Sequence, residues 1–345
     1  MPLFPRTNMQ IWEKNALKTK IGLNDKIICC IFTGLNRNNQ LTTDHMKLTK
    51  LFIAILGIAS LFSCAPKNEV AEDLPVALQL YTVRDNVAED FPGTLLKVKE
   101  MGFDGVEFAG LFGHTPEQVK EWCNTAGLTP ISAHVPFDEM VADIDKVIAD
   151  YKAIGCEYIV VPYVSSECHP DGENFLDMVK NIRIWGEKAN AAGLTLLYHN
   201  HDFEFKKLEN GQCGLDYMYE NVPAEYLQTE LDQCWVKYAG YDPVEYLQKY
   251  SGRSPVVHLK DFYKSGEQEG DPYALIGLNE DEKKENTAFE FRPVGYGIQD
   301  IPAIIEAAKA AGSKWLVVEQ DQPSMGKTPL ECAETSMEYL KSLKK

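Results

Sequence analysis

The chain of 345 residues lacks the features of two broad classes of protein. It carries 34 lysine and arginine residues against 51 aspartate and glutamate residues, a net charge of −17. This charge has the wrong sign for a protein that neutralises many phosphates, so we expect no binding to nucleic acid. The apolar run near the N-terminus, Leu51–Ser63, is too short for a mature helix that spans a bilayer. A hydrophobic content of 45% nevertheless allows a sizeable core, which excludes disorder as the main state.

Several motifs with a defined chemistry are also absent. No two cysteines have the CxxC spacing of a thiolate zinc site. No GxSxG elbow, P-loop or helix-opening GxGxxG occurs, which argues against a serine hydrolase or a nucleotide-dependent enzyme. The cysteines after residue 64 are scattered, and we interpret them mainly as small buried apolar residues, with one or two disulfides left open. They are Cys123, Cys156, Cys168, Cys213, Cys234 and Cys332.

Residues 46–63 have the pattern of an export signal. Lys47 and Lys50 form a basic start, and an apolar core follows them. The sequence Leu-Phe-Ser-Cys that ends at Cys64 resembles a bacterial lipobox, in which the cysteine becomes the lipidated first residue of the mature protein. A polar linker, residues 64–75, comes next and argues against a short buried helix. We therefore predict an exported protein, anchored to a membrane by lipid at Cys64 in the periplasm or cell envelope.

Residues 1–45 precede this signal. Because a signal peptide normally begins at the N-terminus, Met46 is the preferred start, and we interpret residues 1–45 as a misassigned extension. A cytoplasmic tail ahead of an uncleaved anchor is the alternative. The remaining residues, 76–345, are predicted to form one folded domain.

This domain alternates short apolar runs with amphipathic segments. Eight runs rich in valine, isoleucine, leucine or tyrosine predict eight strands, at 76–83, 103–109, 128–135, 156–164, 194–201, 225–232, 255–262 and 314–320. Five glycines stand just before strands, where a glycine that ends a helix belongs: Gly102, Gly127, Gly155, Gly193 and Gly312. This alternation over about 270 residues fits a (β/α)8 TIM barrel, whose typical length is about 250 residues. An open, doubly wound sheet is the alternative, although it usually carries a glycine-rich first turn.

Two segments have an expected position in this fold. Segment 138–154 has helical spacing and should pack on the outside of the sheet through one stripe, formed by Val141, Ile144, Ile148 and Tyr151. Segment 263–291 separates the seventh strand from the last helix and contains a charged run, residues 280–285. This run is either a solvated face or part of a lid over the C-terminal mouth of the barrel, where active sites of this fold lie.

Polar side chains follow the last four predicted strands in pairs. Residues two apart share one face of a strand, so both members of a pair can point into the barrel mouth. The pairs are His199 and His201, Glu230 and Asp232, His258 and Lys260, and Glu319 and Asp321. Imidazole with carboxylate suits Mn²⁺, Fe²⁺, Co²⁺ or Zn²⁺, whereas carboxylates alone would suit Mg²⁺. Taken singly, each residue has an ordinary structural explanation. Together they predict one divalent metal ion, and the best set of ligands is His199, Asp232, His258 and Glu319.

Other polar residues are candidates for contact with a substrate. Glu107 and His134 follow the second and third strands at the same mouth, and His201 shares the face of His199. Arg292, like Arg84, could bind an anionic or hydroxyl-rich ligand. Each of these residues could equally be an ordinary polar residue of the rim, or pair with one of the many carboxylates.

Six motifs carry a resemblance to a known family. They are LQLYTVRD at 78–85, LTLLYHNHDFEF at 194–205, ELDQCW at 230–235, VVHLKDF at 256–262, PVGYGIQDIPAIIEAAKAAG at 293–312 and LVVEQD at 316–321. Together they resemble the xylose isomerase-like TIM barrels, commonly labelled sugar phosphate isomerase/epimerase. The resemblance extends over about residues 76–343, nearly the whole predicted domain.

The resemblance implies one divalent metal held by a glutamate on strand five, an aspartate on strand six, a histidine on strand seven and a glutamate on strand eight. Asp232, His258 and Glu319 match this pattern. At strand five the family often has Glu-Asn-His, whereas this chain has His199, Asn200 and His201. Epimerases of this type use the two metal-bound glutamates as acid and base on opposite faces of the substrate. Either Glu204 reaches back to replace the missing glutamate, or the chemistry differs.

The implied chemistry passes through an enediolate of a keto or hydroxy sugar. A metal that holds a carbonyl and a neighbouring hydroxyl acidifies the C–H bond between them. Glu319 is the predicted general base, and Lys260 is the predicted donor to the developing oxyanion or leaving group.

Three functions are consistent with these residues. The first is a metal-dependent sugar isomerase or epimerase, as the family label suggests. The second is a metal-dependent lyase or hydrolase of a 3-keto-glycoside, which the missing glutamate and the predicted export favour. The third is a sugar-binding lipoprotein without turnover. All three imply a small sugar or sugar derivative as the partner, and formation of a homo-oligomer is left open.

We expect Cys64→Ala to release the protein from the membrane, because the Cys64 thiol is the predicted site of lipid attachment. The measurement is an immunoblot of membrane and soluble fractions from cells that produce the parent or the variant. A variant that stays entirely in the membrane fraction would contradict the lipoprotein prediction.

Overall fold

Eight short apolar runs form the parallel strands of a barrel. The structure, a computed structural model, describes residues 73–265 and 289–344. The barrel strands in chain order are β1 (Val76–Gln79), β2 (Gly105–Phe108), β3 (Thr129–Ala133), β4 (Tyr158–Val161), β5 (Thr195–His199), β6 (Gln228–Asp232), β7 (Val256–Leu259) and β10 (Trp315–Val318). Two further strands, β8 (Asp261–Lys264) and β9 (Phe289–Arg292), form a separate antiparallel ribbon.

The order of the strands closes the sheet on itself. Hydrogen-bonded neighbours run β3-β2-β1-β10-β7-β6-β5-β4. A parallel bridge between His134 and Val160 joins the two ends of this series, and the backbone N–H of Val135 donates to the Val160 carbonyl at 3.0 Å. The predicted (β/α)8 barrel is therefore confirmed, and the open, doubly wound alternative is wrong.

Helices follow the strands and surround the sheet. In the described residues they are α1 (Arg84–Glu89), α2 (Phe91–Met101), α3 (Pro116–Ala126), α4 (Phe137–Ile154), α5 (Phe175–Ala192), α6 (Gly214–Asn221), α7 (Gln233–Tyr238), α8 (Pro243–Lys249), α9 (Ile301–Ala311) and α10 (Pro329–Leu343). Helices α2, α3, α4, α5 and α9 end at the five predicted glycines, each at a positive φ between 71° and 109°. The absence of a Cβ atom makes this left-handed conformation accessible.

Most strands are shorter than predicted, and the first shows why. Strand β1 ends at Gln79, and Leu80–Val83 form a 3₁₀ turn instead of continuing it. The Gln79 side chain accepts a hydrogen bond from the backbone N–H of Tyr81 at 3.0 Å. A polar side chain that satisfies the backbone in this way stabilises a turn where hydrophobicity alone predicts more strand.

The predicted stripe of helix α4 is wrong at one position. Ile144, Ile148 and Tyr151 are buried as expected, but Val141 is 57% exposed and Met140 is buried in its place. Asp143 has non-helical backbone angles, φ −161° and ψ 81°. This break shifts the helical phase of the residues before it, so that a stripe drawn through the whole segment misplaces Val141.

The interior of the barrel has an apolar lower layer and a polar upper layer. The lower layer comprises Ala77, Ile131, Tyr158, Val160, Leu197, Val256 and Val317. Two residues further along several strands, the inward positions become polar. Gln79, Glu107, Glu230 and His258 are all fully buried there. The polar layer lies at the carboxyl ends of the strands, where this fold places its active sites.

The ribbon β8–β9 marks both ends of the predicted lid segment. Residues 266–288, which include the charged run at 280–285, lie outside the described residues. Phe262, Phe289 and Phe291 of the ribbon pack with Trp235 of α7 in one buried cluster. The segment therefore leaves and rejoins the described fold at an apolar anchor beside the barrel mouth.

The loop after β9 is organised by Asp261. Its carboxylate accepts hydrogen bonds from the backbone N–H groups of Gly295 at 3.0 Å, Gly297 at 2.9 Å and Gln299 at 3.1 Å. A Cβ at position 297 would lie 2.1 Å from a carboxylate oxygen of Asp261, so only glycine fits there. This contact holds the loop against the start of β8, directly after Lys260.

The predicted signal, the lipidation site and the linker up to residue 72 lie outside the described residues. Among residues 73–265 and 289–344, no helix is both long enough and apolar enough to cross a membrane. The six cysteines after residue 64 are all described, and all are buried with free thiols rather than paired in disulfides.

We expect Gly186→Ala to destabilise the barrel by about 2 kcal/mol or more, because overpacking against a rigid neighbour forces the backbone to move. A Cβ at this position of α5 would lie 1.9 Å from the backbone oxygen of Tyr226. Denaturant unfolding measures the effect. Glu187→Ala, at the exposed neighbouring position, is the control and should change stability by less than about 0.5 kcal/mol. Equal stability of the two variants would contradict the close packing of α5.

Candidate metal centre

Four strand ends bring the predicted metal ligands together. His199 and Asp232 are the last residues of β5 and β6, His258 lies in β7, and Glu319 follows β10 directly. Each offers one ligand atom, and these four atoms all lie within 4.8 Å of one another. All four residues are at most 4% exposed. We call them the upper set.

Strand register and two local hydrogen bonds position Asp232. Asp232 is opposite His258 in the pairing of β6 with β7. The Asn200 side chain accepts from the backbone N–H of Asp232 at 3.0 Å, which ties the end of β5 to the end of β6. One carboxylate oxygen of Asp232 caps α7 by accepting from the N–H groups of Cys234 at 2.7 Å and Trp235 at 3.1 Å.

The other oxygen of Asp232 shows that the upper set suits a cation. Oδ2 is buried without a hydrogen-bond partner among the described residues, and it lies 3.6 Å from Nε2 of His199. Burial raises the pKa of Asp232 to about 7, and the nearby Lys260 charge opposes this rise. A buried carboxylate oxygen without a hydrogen bond is unfavourable unless a cation joins it, and the Lys260 ammonium, 3.7 Å from this oxygen, is shared with Glu319 and Asp321 at shorter distances. Two imidazoles and two carboxylates are a fitting donor set for a divalent transition metal or zinc.

A second group of polar residues lies beneath the upper set. Nε2 of His134 lies 3.1 Å from Glu107 and 2.7 Å from Glu230. Burial alone would lower the pKa of His134, but these two carboxylates outweigh it and raise the pKa to about 10. Burial would raise the pKa of Glu107, whereas His134 and His258 hold it well below its ordinary value. The layer is therefore a buried network of charged hydrogen bonds.

Lys260 forms the cationic side of the site. Its ammonium group lies 3.0 Å from Oε2 of Glu319 and 2.7 Å from Oδ2 of Asp321. It also lies 5.4 Å from the ring centre of Trp235 and 5.2 Å from that of Phe291. Burial opposes the charged form, but the carboxylates raise the pKa of Lys260 well above its ordinary value. Burial would raise the pKa of Glu319, but Lys260 and His258 outweigh burial and lower this pKa below its ordinary value. At neutral pH the pair is an ammonium and a carboxylate.

A cavity of about 500 Å³ opens above these residues. The site contributes His134, His199, His201, Lys260, Glu319 and Asp321 to its walls. The opposite walls come from the segments after β1 to β4, including the first turn of α4, and contain Tyr81, Phe137, Asp138, Glu139 and Tyr163. A small hydroxylated molecule in this cavity would contact both aromatic faces and charged groups.

Some of the remaining predicted site residues line the cavity, and others lie away from it. His201 and His134 line the cavity, whereas Glu107 is fully buried below it. Glu204 accepts from the Tyr198 hydroxyl at 2.7 Å and from the backbone N–H of His201 at 2.8 Å, away from the upper set. Arg292 pairs with Glu290 at 2.6 Å on the ribbon and does not line the cavity.

The sequence assigned no role to several residues that the structure brings to the site. Glu230 and Asp321 appear in the sequence only as the residues two positions from the predicted ligands Asp232 and Glu319. The period-two pattern was the available signal, since both share an inward face with a predicted ligand. Tyr163 lines the cavity from the loop after β4 and Asp138 from the first turn of α4, and neither carries such a signal.

Comparison with known proteins identifies the family. The sequence profile of the xylose isomerase-like TIM barrel family matches residues 95–343. The chain belongs to this family. The inosose dehydratase of Geobacillus kaustophilus is 22% identical over 311 residues, covering 81% of this chain and 93% of that protein. Other similar proteins include a sugar phosphate isomerase/epimerase, an L-ribulose 3-epimerase and further inosose dehydratases.

Solved structures support the same fold. A sugar phosphate isomerase/epimerase from Parabacteroides distasonis superposes with a TM-score of 0.62 at 20% identity, covering 81% of this chain and 97% of that one. The IOLI protein, solved with a bound zinc atom, superposes with a TM-score of 0.56 at 16% identity, covering 78% and 98% of the two chains. At these identities the likeness establishes the fold alone.

The buried Glu204 predicts a loss of stability as the pH rises. Burial raises the pKa of this carboxyl to about 8 from an ordinary 4.5, so the folded state keeps the proton to higher pH than the unfolded chain. The free energy of unfolding should therefore fall between about pH 5 and pH 8, by on the order of 1.4 kcal/mol per pH unit from this group.

Glu204→Gln should remove that dependence, because a neutral amide has no proton to release. Denaturant unfolding at pH 5.5 and pH 7.5 should show the variant gaining about 2 kcal/mol relative to the parent over this interval. Glu209→Gln makes the same change at an exposed position and serves as the control. Parallel pH profiles for the parent and Glu204→Gln would exclude a protonated Glu204 in the folded protein.

Proposed function

We propose that this protein is a divalent-metal-dependent lyase that eliminates a β-substituent from a keto-sugar, with a 3-keto-glycoside as the substrate class. The observation that carries the proposal is the buried pair of Lys260 and Glu319, 3.0 Å apart at the floor of the cavity. An acid and a base side by side suit removal of a proton and a leaving group from neighbouring carbons. Epimerisation instead requires proton transfer on both faces of one carbon.

The protonation states of this pair suit elimination. The lowered pKa of Glu319 leaves it a carboxylate, which can accept a proton. The raised pKa of Lys260 keeps it an ammonium, which can donate one. Asp321, 2.7 Å from the ammonium, holds the Lys260 side chain in place. Both groups thus have the protonation states that a base and an acid need, and their mutual ion pair weakens each of them until a bound substrate separates the two charges.

The upper set supplies the remaining requirement. His199, Asp232, His258 and Glu319 would hold the divalent metal, which when bound would polarise the substrate carbonyl and stabilise the negative charge that develops on its oxygen. Two cavity residues, Tyr81 and Tyr163, offer ring faces on which a sugar can pack.

The proposed reaction is balanced by this pair alone. The Glu319 carboxylate takes the proton from the carbon next to the carbonyl. The electrons of the broken C–H bond form a carbon–carbon double bond. The bond from the next carbon to the leaving oxygen breaks at the same time, and the Lys260 ammonium protonates that oxygen. The products are an unsaturated keto-sugar and an alcohol. Transfer of the proton from Glu319 to the Lys260 amine across 3.0 Å restores both groups.

A sugar isomerase or epimerase is the second candidate. Three imidazoles line the cavity besides Glu319, those of His134, His199 and His201. Burial lowers the pKa of His201 well below its ordinary value, so this ring is neutral and can exchange a proton. An imidazole could therefore return a proton to the substrate in place of the glutamate that the family often has at strand five.

The location of the reaction is part of the proposal. The signal pattern of residues 46–63 and Cys64 supports an exported, lipid-anchored enzyme of the periplasm or cell envelope. An exported enzyme would meet glycosides rather than the phosphorylated sugars of the cytoplasm. This argument favours an uncharged keto-sugar as the substrate.

We expect the protein to release the alcohol from a 3-keto-glycoside in D₂O and to leave recovered substrate without deuterium. Chromatography with mass spectrometry follows both. Deuterium in recovered or isomeric sugar without alcohol release would instead support the isomerase or epimerase. Binding of the sugar with neither outcome would support the non-catalytic sugar-binding protein and overturn the proposal.

Asp232→Ala tests the metal in the same assay. Loss of a buried ligand should remove the single Mn, Fe, Co or Zn found by elemental analysis of the parent, and alcohol release should fall to background. The fold should persist, because packed layers below the mouth stabilise the barrel. Asp138→Asn, an exposed carboxylate at the cavity wall, is the control and should retain the metal. A parent that binds no metal after reconstitution would contradict the metal site.

A further inference from the structure

The two imidazoles of the upper set lie between two layers of carboxylates. On one side, Nε2 of His199 lies 3.6 Å from Asp232, and Nδ1 of His258 lies 3.1 Å from Glu319. On the other side, Nδ1 of His199 lies 3.1 Å from Glu230. Each ring therefore presents one nitrogen to the upper set and the opposite nitrogen to the layer below.

His258 also has carboxylates of the lower layer beside the nitrogen that faces away from the upper set. Nε2 of His258 lies 2.8 Å from Glu107 and 3.2 Å from Glu230. Glu107 is itself held by Gln79, whose amide donates at 2.8 Å, and by the hydroxyl of Ser132. We call Glu107 and Glu230 the lower carboxylates. Both are fully buried, and neither lines the cavity.

We propose that the lower carboxylates are positioning residues that fix the tautomers of His199 and His258. A neutral imidazole carries one N–H and one lone pair, and a metal ion takes the lone pair. Acceptance of the Nδ1–H of His199 by Glu230 leaves its Nε2 lone pair toward the upper set. Acceptance of the Nε2–H of His258 by Glu107 leaves its Nδ1 lone pair there. The two rings adopt opposite tautomers and converge on one point.

This assignment selects between two overlapping groups of ligands. A lower group of His134, His199, Glu230 and His258 also has its ligand atoms within 4.8 Å of one another. It uses the opposite nitrogens of the two shared rings, and a neutral ring has a single lone pair, so the same rings cannot serve both groups at once. Oε2 of Glu230 already receives His134 at 2.7 Å and His199 at 3.1 Å. Oε1 of Glu230 and Oδ2 of Asp232 both lack a hydrogen-bond partner among the described residues, so the ring tautomers and not the unpaired oxygens select between the two groups.

The inference rests on the metal site of the proposed function but not on the proposed reaction. Loss of an outer carboxylate that orients a ligating histidine typically weakens metal binding about 10- to 100-fold. We therefore expect Glu230→Ala to bind Co²⁺ about 10- to 100-fold more weakly than the parent while still reaching one Co²⁺ per chain at saturation. Glu230→Gln retains an acceptor oxygen and should recover part of this loss.

The measurement is competition between the metal-free protein and a chelator for Co²⁺, with the absorption spectrum of bound Co²⁺ as a second readout. Circular dichroism confirms that each variant is folded. Because Glu230 acts through His199, the same Glu230→Ala change made in His199→Glu should weaken Co²⁺ binding less than about threefold. A purely structural effect of Glu230 would weaken both proteins equally and would overturn the inference.

Two further results would also overturn it. Unchanged Co²⁺ affinity in Glu230→Ala would show that the lower carboxylate does not orient the ligand, although the metal site would stand. The ion would belong to the lower group if His134→Asn and Glu230→Ala both lost Co²⁺ while Asp232→Asn bound it fully. A parent without Co²⁺ would remove the metal site itself, an outcome that separates failure of the proposed function from failure of the positioning role.

Discussion

Buried charge at the mouth of the barrel is the constraint on which the arrangement of the site depends. Five carboxylates, those of Glu107, Glu230, Asp232, Glu319 and Asp321, lie almost completely out of water. Buried charges are stable only when they are paired and hydrogen-bonded. Lys260, His134 and His258, whose pKa values the carboxylates raise against the effect of burial, supply positive charge at three points, and the five carboxylates outnumber them. A divalent cation in the upper set is the natural balance of this excess.

The backbone meets this constraint through strand alternation. Inward positions two apart along each strand form an apolar layer below and a charged layer above, toward the carboxyl ends of the strands. The packed lower layer stabilises the barrel, and the upper layer contains the candidate site. Asn200 and Asp261 then tie strand ends and loops to this frame with hydrogen bonds to the backbone. Side chains that seem peripheral to the site in the sequence thus hold its geometry.

Sequence reasoning predicted the barrel and the upper set because both follow from local periodicity. Valine-rich runs, glycines before strands and polar pairs two apart can all be recognised without a structure. The closing contact between His134 and Val160 and the contacts of Glu107 with His258 join residues far apart in the chain, and no local pattern contains them. Asp143 shows a second limit, since one non-helical residue changed which face of α4 is buried. Glu204, one of the two alternatives for the missing glutamate, accepts hydrogen bonds from its own neighbours Tyr198 and His201.

The ribbon β8–β9 has a consequence for how this protein can vary. Phe291 lies in β9, the strand that follows the segment 266–288, and its ring lies beside the Lys260 ammonium. The segment interrupts none of the barrel strands. Insertions or deletions between Lys264 and Phe289 are therefore separated from the metal ligands by a paired strand. Phe289 and Phe291 of β9 both pack against Trp235, and the rings of Phe291 and Trp235 both lie beside the Lys260 ammonium. A change of length in this segment would act on the Lys260 ammonium through this aromatic cluster, whereas the four residues of the upper set lie at the ends of barrel strands that the segment does not interrupt.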